Sequence, residues 1–329
     1  MVNSEFHSHS VCLLAVYFGP LPPWFPLWVR TCGANASFDW ILFTDTSTDQ
    51  LPLLPRNIKV INISFSEIKL LIQERLEMEV CLPRPYKLCD FRAAYGVIFA
   101  KWLEGYDFWG YCDIDIVWGD LQSFFTDEVF SSFDKIQESG HLSFYRNIER
   151  VNTLYLQPAP NVSYKDVFKS PRNFSFDEHG GVRYLTYLKG LSHIWITKYF
   201  DANPAKSKLA DCRNDNYRRQ ILYWEDGHLY REFVDGKKQS RHSYEYPEVT
   251  RDEYAYIHLQ QRRFPAPAFD IDAVRGFYIT PFGFSQKIKY IHGLEDFIRL
   301  NPRSLTYKPW MRTKVFIRRM KLSISDWLS

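Results

Sequence analysis

The chain lacks a strong charge of either sign. Its formal net charge is +3 over 329 residues, which leaves out the broad basic field of a general nucleic-acid binder. It also lacks any C-x-x-C pair or zinc-like cysteine spacing. Cysteines at positions 12, 32, 81, 89, 112 and 212 are too sparse for a disulfide framework and read as reduced, mostly buried thiols. No apolar run reaches membrane-spanning length. The stretch "SVCLLAVYF" is too short, and it has neither the basic region nor the small-residue cleavage site of a signal peptide. These absences make the cytoplasm the expected location, where the N-x-S/T triplets at Asn35, Asn62, Asn161 and Asn173 would carry no glycan. No internal repeat or low-complexity linker interrupts the chain.

What is present is a large apolar content, 46% of residues, enough to bury the core of one large domain or two moderate ones. In the first half, short apolar runs alternate with helix-like periodicity, which predicts an α/β fold. "VCLLAVYF" reads as a buried strand ended by Gly19, "WILFTD" as a second strand and "NIKVINI" as a third. A helix is expected through Trp28. Ser64 and Glu67 form an S-x-x-E capping box ahead of Phe65, Ile68, Ile72, Leu76 and Val80 at near-helical spacing. "CDFRAAYGVIFAKWL" reads as a further helix. In the second half, the Asp226-Gly227 pair between β-favouring runs predicts a hairpin. The economical division is one domain over 1–300, with a C-terminal half more elaborate than the first, and a basic amphipathic tail over 301–329.

The motif "YDFWGYCDIDIVWGDL" sets Asp113 and Asp115 at the end of an apolar strand. In open α/β sheets, ligands bind beyond the carboxyl ends of the strands, and Asp45 belongs there too. Carboxylates at i and i+2 on an extended segment point the same way and can share one hard cation and its bound phosphates. Mn2+ or Mg2+ is the expected guest, since a diphosphate leaving group gathers charge as its bond to a sugar breaks. Two other readings stand beside this one. Aspartates at a strand end often cap a turn, and phosphatases of the haloacid-dehalogenase type use D-x-D as nucleophile and acid/base. For the latter, three α/β elements precede the motif and no later lysine and acidic pair follows in the required order.

"AVYFGPLPPWFPLWVRTC", "DWILFTD", "YKLCDFRAAYG", "FWGYCDIDIVWGDL", "DEHGG" and "YIHLQQRRF" occur in that order. Together they resemble a bacterial family of GT-A-type glycosyltransferases of surface-polysaccharide synthesis, often described only as a domain of unknown function. The resemblance covers roughly residues 10–265 and extends to the galactofuranosyl-transferring domain of a lipopolysaccharide galactan synthase. It implies a GT-A-like, Rossmann-type mixed sheet flanked by helices. The implied activity is metal-dependent transfer of a sugar, galactofuranose among the candidates, from a UDP-linked donor to a growing O-antigen or capsule glycan.

The resemblance also implies residue roles. Tyr17, Phe18 and Gly19 would seat the nucleotide base, and Thr44 and Asp45 would hold the base or ribose. Asp90 and Arg92 would contact the donor, Arg92 near its phosphates or sugar. Asp115 would be the principal metal ligand, with Asp113 acting through the metal, a water or the ribose. His258 would complete the metal site, although a lone histidine in an apolar strand is more often a satisfied core residue. Arg262 and Arg263 would neutralise the diphosphate through their planar forks.

An inverting transferase needs a carboxylate to take the acceptor's proton. "FDEHGG" supplies Asp177 or Glu178 beside two glycines suited to a tight turn. Trp109, Trp118, Tyr184 and Tyr187 offer flat surfaces for sugar rings. The tail "YKPWMRTKVFIRRMKLSISDWL" interleaves basic and apolar residues, as either an interfacial helix on anionic lipid or a charged helix packed against the domain would. The expected partners are therefore a nucleotide sugar, a glycan or lipid-linked glycan, and the inner face of the cytoplasmic membrane. Besides the phosphatase, a non-catalytic glycan-binding module is the remaining rival.

Overall fold

Three apolar runs become neighbouring parallel strands; the first two are buried as near-continuous hydrophobic segments of the kind parallel sheets require, while the third lies at the sheet edge and buries only Ile58. In the computed structural model, residues 8–159, 162–178, 181–203, 206, 208–213, 215–234, 249–260, 262–287 and 294–301 are described. Asn161, His179, Gly180 and the tail from residue 302 lie outside the described residues. The strands in chain order are β1 (Val11–Val16), β2 (Asp39–Thr44), β3 (Ile58–Asn62), β4 (Phe108–Cys112), β5 (Ile116–Trp118), β6 (Lys135–Ser139), β7 (Leu142–Arg146), β8 (His193–Ile194), β9 (Phe200–Asp201), β10 (Arg219–Glu225), β11 (His228–Val234), β12 (Thr250–Tyr254), β13 (Tyr256–His258), β14 (Gly276–Thr280) and β15 (Gly283–Gln286).

The described chain divides into two units. Unit 1 comprises the described residues of Met1–Leu21, Phe25–Ile114 and Asp120–Thr197. Its mixed seven-stranded sheet has the order β3-β2-β1-β4-β7-β6-β8, with β3, β2, β1 and β4 parallel and β7 antiparallel to β4. From β1 the chain steps to β2 and β3 on one side and returns to β4 on the other. That makes the β1–β4 boundary a topological switch point, where the carboxyl ends leave room for a ligand. This is the mixed α/β arrangement expected from the sequence, and it is compatible with a GT-A-like sheet.

Local signals explain most of unit 1's elements. Helix α1 (Phe25–Gly33) buries Leu27 and Trp28. Helix α2 (Phe65–Leu76) starts at the anticipated capping box: the Ser64 side chain accepts from the Glu67 backbone and the Glu67 side chain accepts from the Ser64 backbone. It ends where Glu77 turns left-handed at φ 49°. Its Ile68 and Ile72 are fully buried, each contributing roughly 1.5–3 kcal/mol by leaving water. The single helix expected over "CDFRAAYGVIFAKWL" is instead broken. A 3-10 segment, Pro85–Ala94, gives way to short α-turns at Tyr95–Ile98 and Ala100–Leu103. Gly96, inside the first of these turns, permits the close approach of Asn152, whose side chain a Cβ there would meet at 2.5 Å.

Unit 2 comprises Pro22–Trp24, Asp115–Gly119 and the described residues of Lys198–Ser329. It carries an antiparallel sheet of order β12-β11-β10-β14-β15 and a smaller sheet of order β5-β13-β9. The predicted hairpin joins β10 to β11: Asp226 and Gly227 take φ 48° and 96°, the doubly positive pair that a tight type I′ turn demands. Among the described residues no helix is long and apolar enough to cross a membrane. All six cysteines are free, with Cys212 exposed and Cys12, Cys32 and Cys112 buried.

Candidate functional site

In unit 1 the carboxyl ends of β1 and β2 are tied together. Gly19 is left-handed at φ 101°, and its N–H donates to Asp45 Oδ1 at 2.9 Å. Asp45 thus shapes the loop after β1. Thr44 is fully buried, and its hydroxyl accepts from Thr46 N, so it caps a turn instead of facing a ligand. Phe18 is also directed inward, edge-on to Phe65 at 5.5 Å, while the Tyr17 hydroxyl donates to Pro20 O. Of the residues expected to hold the nucleotide, Tyr17, Gly19 and Asp45 keep a solvent-reaching position.

Asp90 has a different employment from the donor contact expected of it. It is fully buried and pairs with the equally buried Lys87 at 2.8 Å. Its oxygens also accept from the backbone of Phe174 and Phe176. Lys87 completes its shell on the carbonyls of Val167 and Arg172. A buried charge pair survives only when its remaining hydrogen bonds are met, and here those bonds pin the segment leading into Asp177.

Arg92 likewise turns to protein groups. Its guanidinium donates to Asp113 Oδ1 and to the carbonyl of Gly140, lies over the Tyr111 ring at 4.9 Å, and stands 3.6 Å from Asp177 Oδ2. Asp177 is 3% exposed, and its Oδ2 finds no hydrogen-bond donor among the described residues. Burial pushes its carboxyl up to about 7, Arg92 opposes that rise, and Glu178 adds to it. Glu178 is only half-buried, and its Oε1 accepts from Gly140 N at 2.6 Å.

Gly140 therefore serves both sides, its carbonyl taken by Arg92 and its N–H by Glu178. A Cβ there would fall 2.2 Å from Glu178 Oε1. The sequence reading missed Gly140, whose only signal was a glycine between two β-favouring runs. At Gly181 a Cβ would meet Phe176 O at 2.0 Å, so this half of the glycine pair is required by close approach.

In unit 2 the small sheet brings distant residues together. His258 pairs with Ile116 across the antiparallel β5–β13 ladder and with Asp201 across the parallel β13–β9 ladder. The ladder continues through Leu259 N to Asp115 O at 2.8 Å. As a result, His258 Nε2 lies 3.4 Å from Asp115 Oδ1 and His258 Nδ1 lies 2.9 Å from Asp201 Oδ1. Two ligands at right angles on a six-coordinate Mg2+ would be about 3 Å apart, so the Asp115–His258 spacing and its oxygen-plus-imidazole donors fit a divalent cation.

The D-x-D segment is bent between its two aspartates, not extended as expected. Asp113 meets Arg92 within unit 1 and Asp115 meets His258 within unit 2. Arg262 Nη2 donates to the carbonyls of both Asn203 and Lys206, which makes it a loop clamp, while Arg263 is exposed. Trp109 and Trp118 are fully buried and offer no sugar platform, whereas Tyr184 and Tyr187 on the Val182–Leu188 helix are 42% and 51% exposed. The Tyr187 hydroxyl is anchored on buried Glu138 at 2.5 Å.

A family model described as "Family of unknown function (DUF6625)" matches residues 13–288. No curated protein matches the sequence.

Proposed function

We propose that this chain, which belongs to the family of unknown function DUF6625, is a metal-dependent glycosyltransferase that passes a sugar from a nucleotide donor to a glycan hydroxyl. The observation that carries this reading is the placement of His258 Nε2 beside Asp115 Oδ1, on the second aspartate of a motif that follows a buried sheet strand. Asp115 and His258 are the proposed ligands. A bound Mn2+ or Mg2+ would offset the charge that gathers on the donor's diphosphate as the sugar departs.

In unit 1, Tyr17, Gly19 and Asp45 occupy the strand-end position where α/β sheets take nucleotides. UDP is the nucleotide proposed, with galactofuranose among the sugars and an O-antigen or capsule chain as acceptor. Glu178 is the proposed base for an inverting transfer, because it is the carboxylate of the acidic pair that solvent reaches and Gly140 N fixes one of its oxygens. Asp177 lies beneath it as a buried partner of Arg92. Tyr184 and Tyr187 present rings on which a sugar face could stack.

The reading is tested by thermal unfolding with UDP, in the presence of Mn2+ and in the presence of EDTA. A ligand that binds only the native chain must raise its melting temperature. UDP should stabilise the protein with Mn2+ and fail to do so with EDTA, and a shift indifferent to EDTA would remove the metal from the reading.

A further inference from the structure

We propose that Asp201, for which the sequence suggested no role, is a positioning residue that holds the His258 ring in the one tautomer able to bind a divalent cation beside Asp115. The proposal rests on the reading of Asp115 and His258 as metal ligands, and it concerns unit 2 alone.

Asp201 Oδ1 lies 2.9 Å from His258 Nδ1. An ionised carboxylate can only accept a hydrogen bond, so Nδ1 must carry the proton. In the neutral ring Nε2 then holds the lone pair, and Nε2 is the atom facing Asp115. A ring that donates one N–H to a carboxylate is both oriented and made more basic at its other nitrogen, which is how outer carboxylates strengthen metal-ligating histidines.

Asp201 is itself secured. Gln260 Nε2 donates to the same Oδ1 at 2.6 Å, so two donors converge on one oxygen. Gln260 does this from a left-handed backbone at φ 46°, a conformation a non-glycine residue adopts at a cost. The backbone of Asp201 is fixed as well. Its carbonyl accepts from Cys212 N, and Ala202 N donates to His258 O. A histidine serving only the core would need one hydrogen-bond partner, whereas here a 9%-exposed aspartate and a strained glutamine are both arranged around the far side of its ring.

The test uses the full chain. Mn2+ affinity is measured by electron paramagnetic resonance for the parent, Asp201→Ala and Asp201→Asn, and the His258 tautomer is read from imidazole 15N shifts in the metal-free proteins. Asp201→Ala should weaken Mn2+ binding about 10- to 100-fold and move the proton from Nδ1 toward Nε2. Asp201→Asn keeps an acceptor oxygen and should recover part of the affinity along with the Nδ1–H tautomer. This second variant guards against simple misfolding of the first.

Parental Mn2+ affinity in Asp201→Ala, or a loss of affinity with an unchanged tautomer, would overturn the proposal and leave the metal site standing. A loss in Asp201→Asn as complete as in Asp201→Ala, with the tautomer retained, would make the carboxylate a ligand and overturn the positioning role. A parent chain that binds no Mn2+ would remove the metal reading and this inference together.

Discussion

Asp177 Oδ2 stands 3.6 Å from Arg92 Nη1, inside ion-pair range and beyond hydrogen-bond range, so this buried oxygen gains attraction without a hydrogen-bond donor among the described residues. Desolvation outweighs that attraction and raises the group from its ordinary 3.8 to about 7. Arg92 cannot move closer without giving up Asp113 and the Gly140 carbonyl.

The raised carboxyl has a signed consequence for stability. Below about pH 4 the folded and unfolded chains both hold the proton. Between there and about pH 7 the unfolded chain releases it while the folded chain keeps it, so this group's contribution falls as pH rises and levels off above 7. Asp177→Asn cannot ionise. Relative to the parent it should gain roughly 2–4 kcal/mol between pH 4 and pH 8, measured by urea unfolding at both values. A difference between the two proteins that does not change with pH would show that Asp177 titrates normally.

Asp115→Asn removes one charge and almost no volume from the His258 pair. It should weaken Mn2+ binding at least tenfold and abolish the Mn2+-dependent shift with UDP, while the melting temperature without ligand changes little. Titration of Mn2+ followed by thermal unfolding checks both. Full Mn2+ affinity in this variant would exclude Asp115 as a ligand.

Glu178→Gln separates chemistry from donor binding. A base acts on the acceptor, so the amide should keep the Mn2+–UDP shift while transfer falls by a factor of about 100 or more. Gly140→Ala should reproduce part of that loss, because its Cβ would displace the Glu178 carboxylate. Turnover at the parental rate in Glu178→Gln would move the base elsewhere.

Lys87→Met tests the buried pair beneath the 174–178 segment. It leaves Asp90 as an uncompensated buried charge and should cost about 3–5 kcal/mol in urea unfolding. Adding Asp90→Asn to it should recover part of the loss, since the amide oxygen still accepts from Phe174 and Phe176 without a stranded charge. No recovery in the double variant would place the cost in packing around Lys87.

Much of the framework was legible because its causes are local. The apolar runs that became β1, β2 and β3, the Ser64–Glu67 box that starts α2 and the Asp226-Gly227 turn each depend on residues within a few positions of one another. Backbone geometry and burial act at that range. The division of the helix expected over "CDFRAAYGVIFAKWL" into a 3-10 segment and two short α-turns was not legible in its apolar pattern, which both helix types can share.

The sequence by itself determined which side chains are available: carboxylates at 113, 115, 177 and 178, an arginine at 92 and a late histidine at 258. Tertiary structure decided what each one faces. It turned Asp90 inward onto Lys87, spent Arg92 on Asp113 and the Gly140 carbonyl, and buried Asp177 while leaving Glu178 within reach of solvent. It brought Asp201 to His258 through the pairing of two short strands, β9 and β13. Nothing in the local sequence encodes that meeting. The strands are too short to announce their register, and register alone determines which side chains lie together across a ladder.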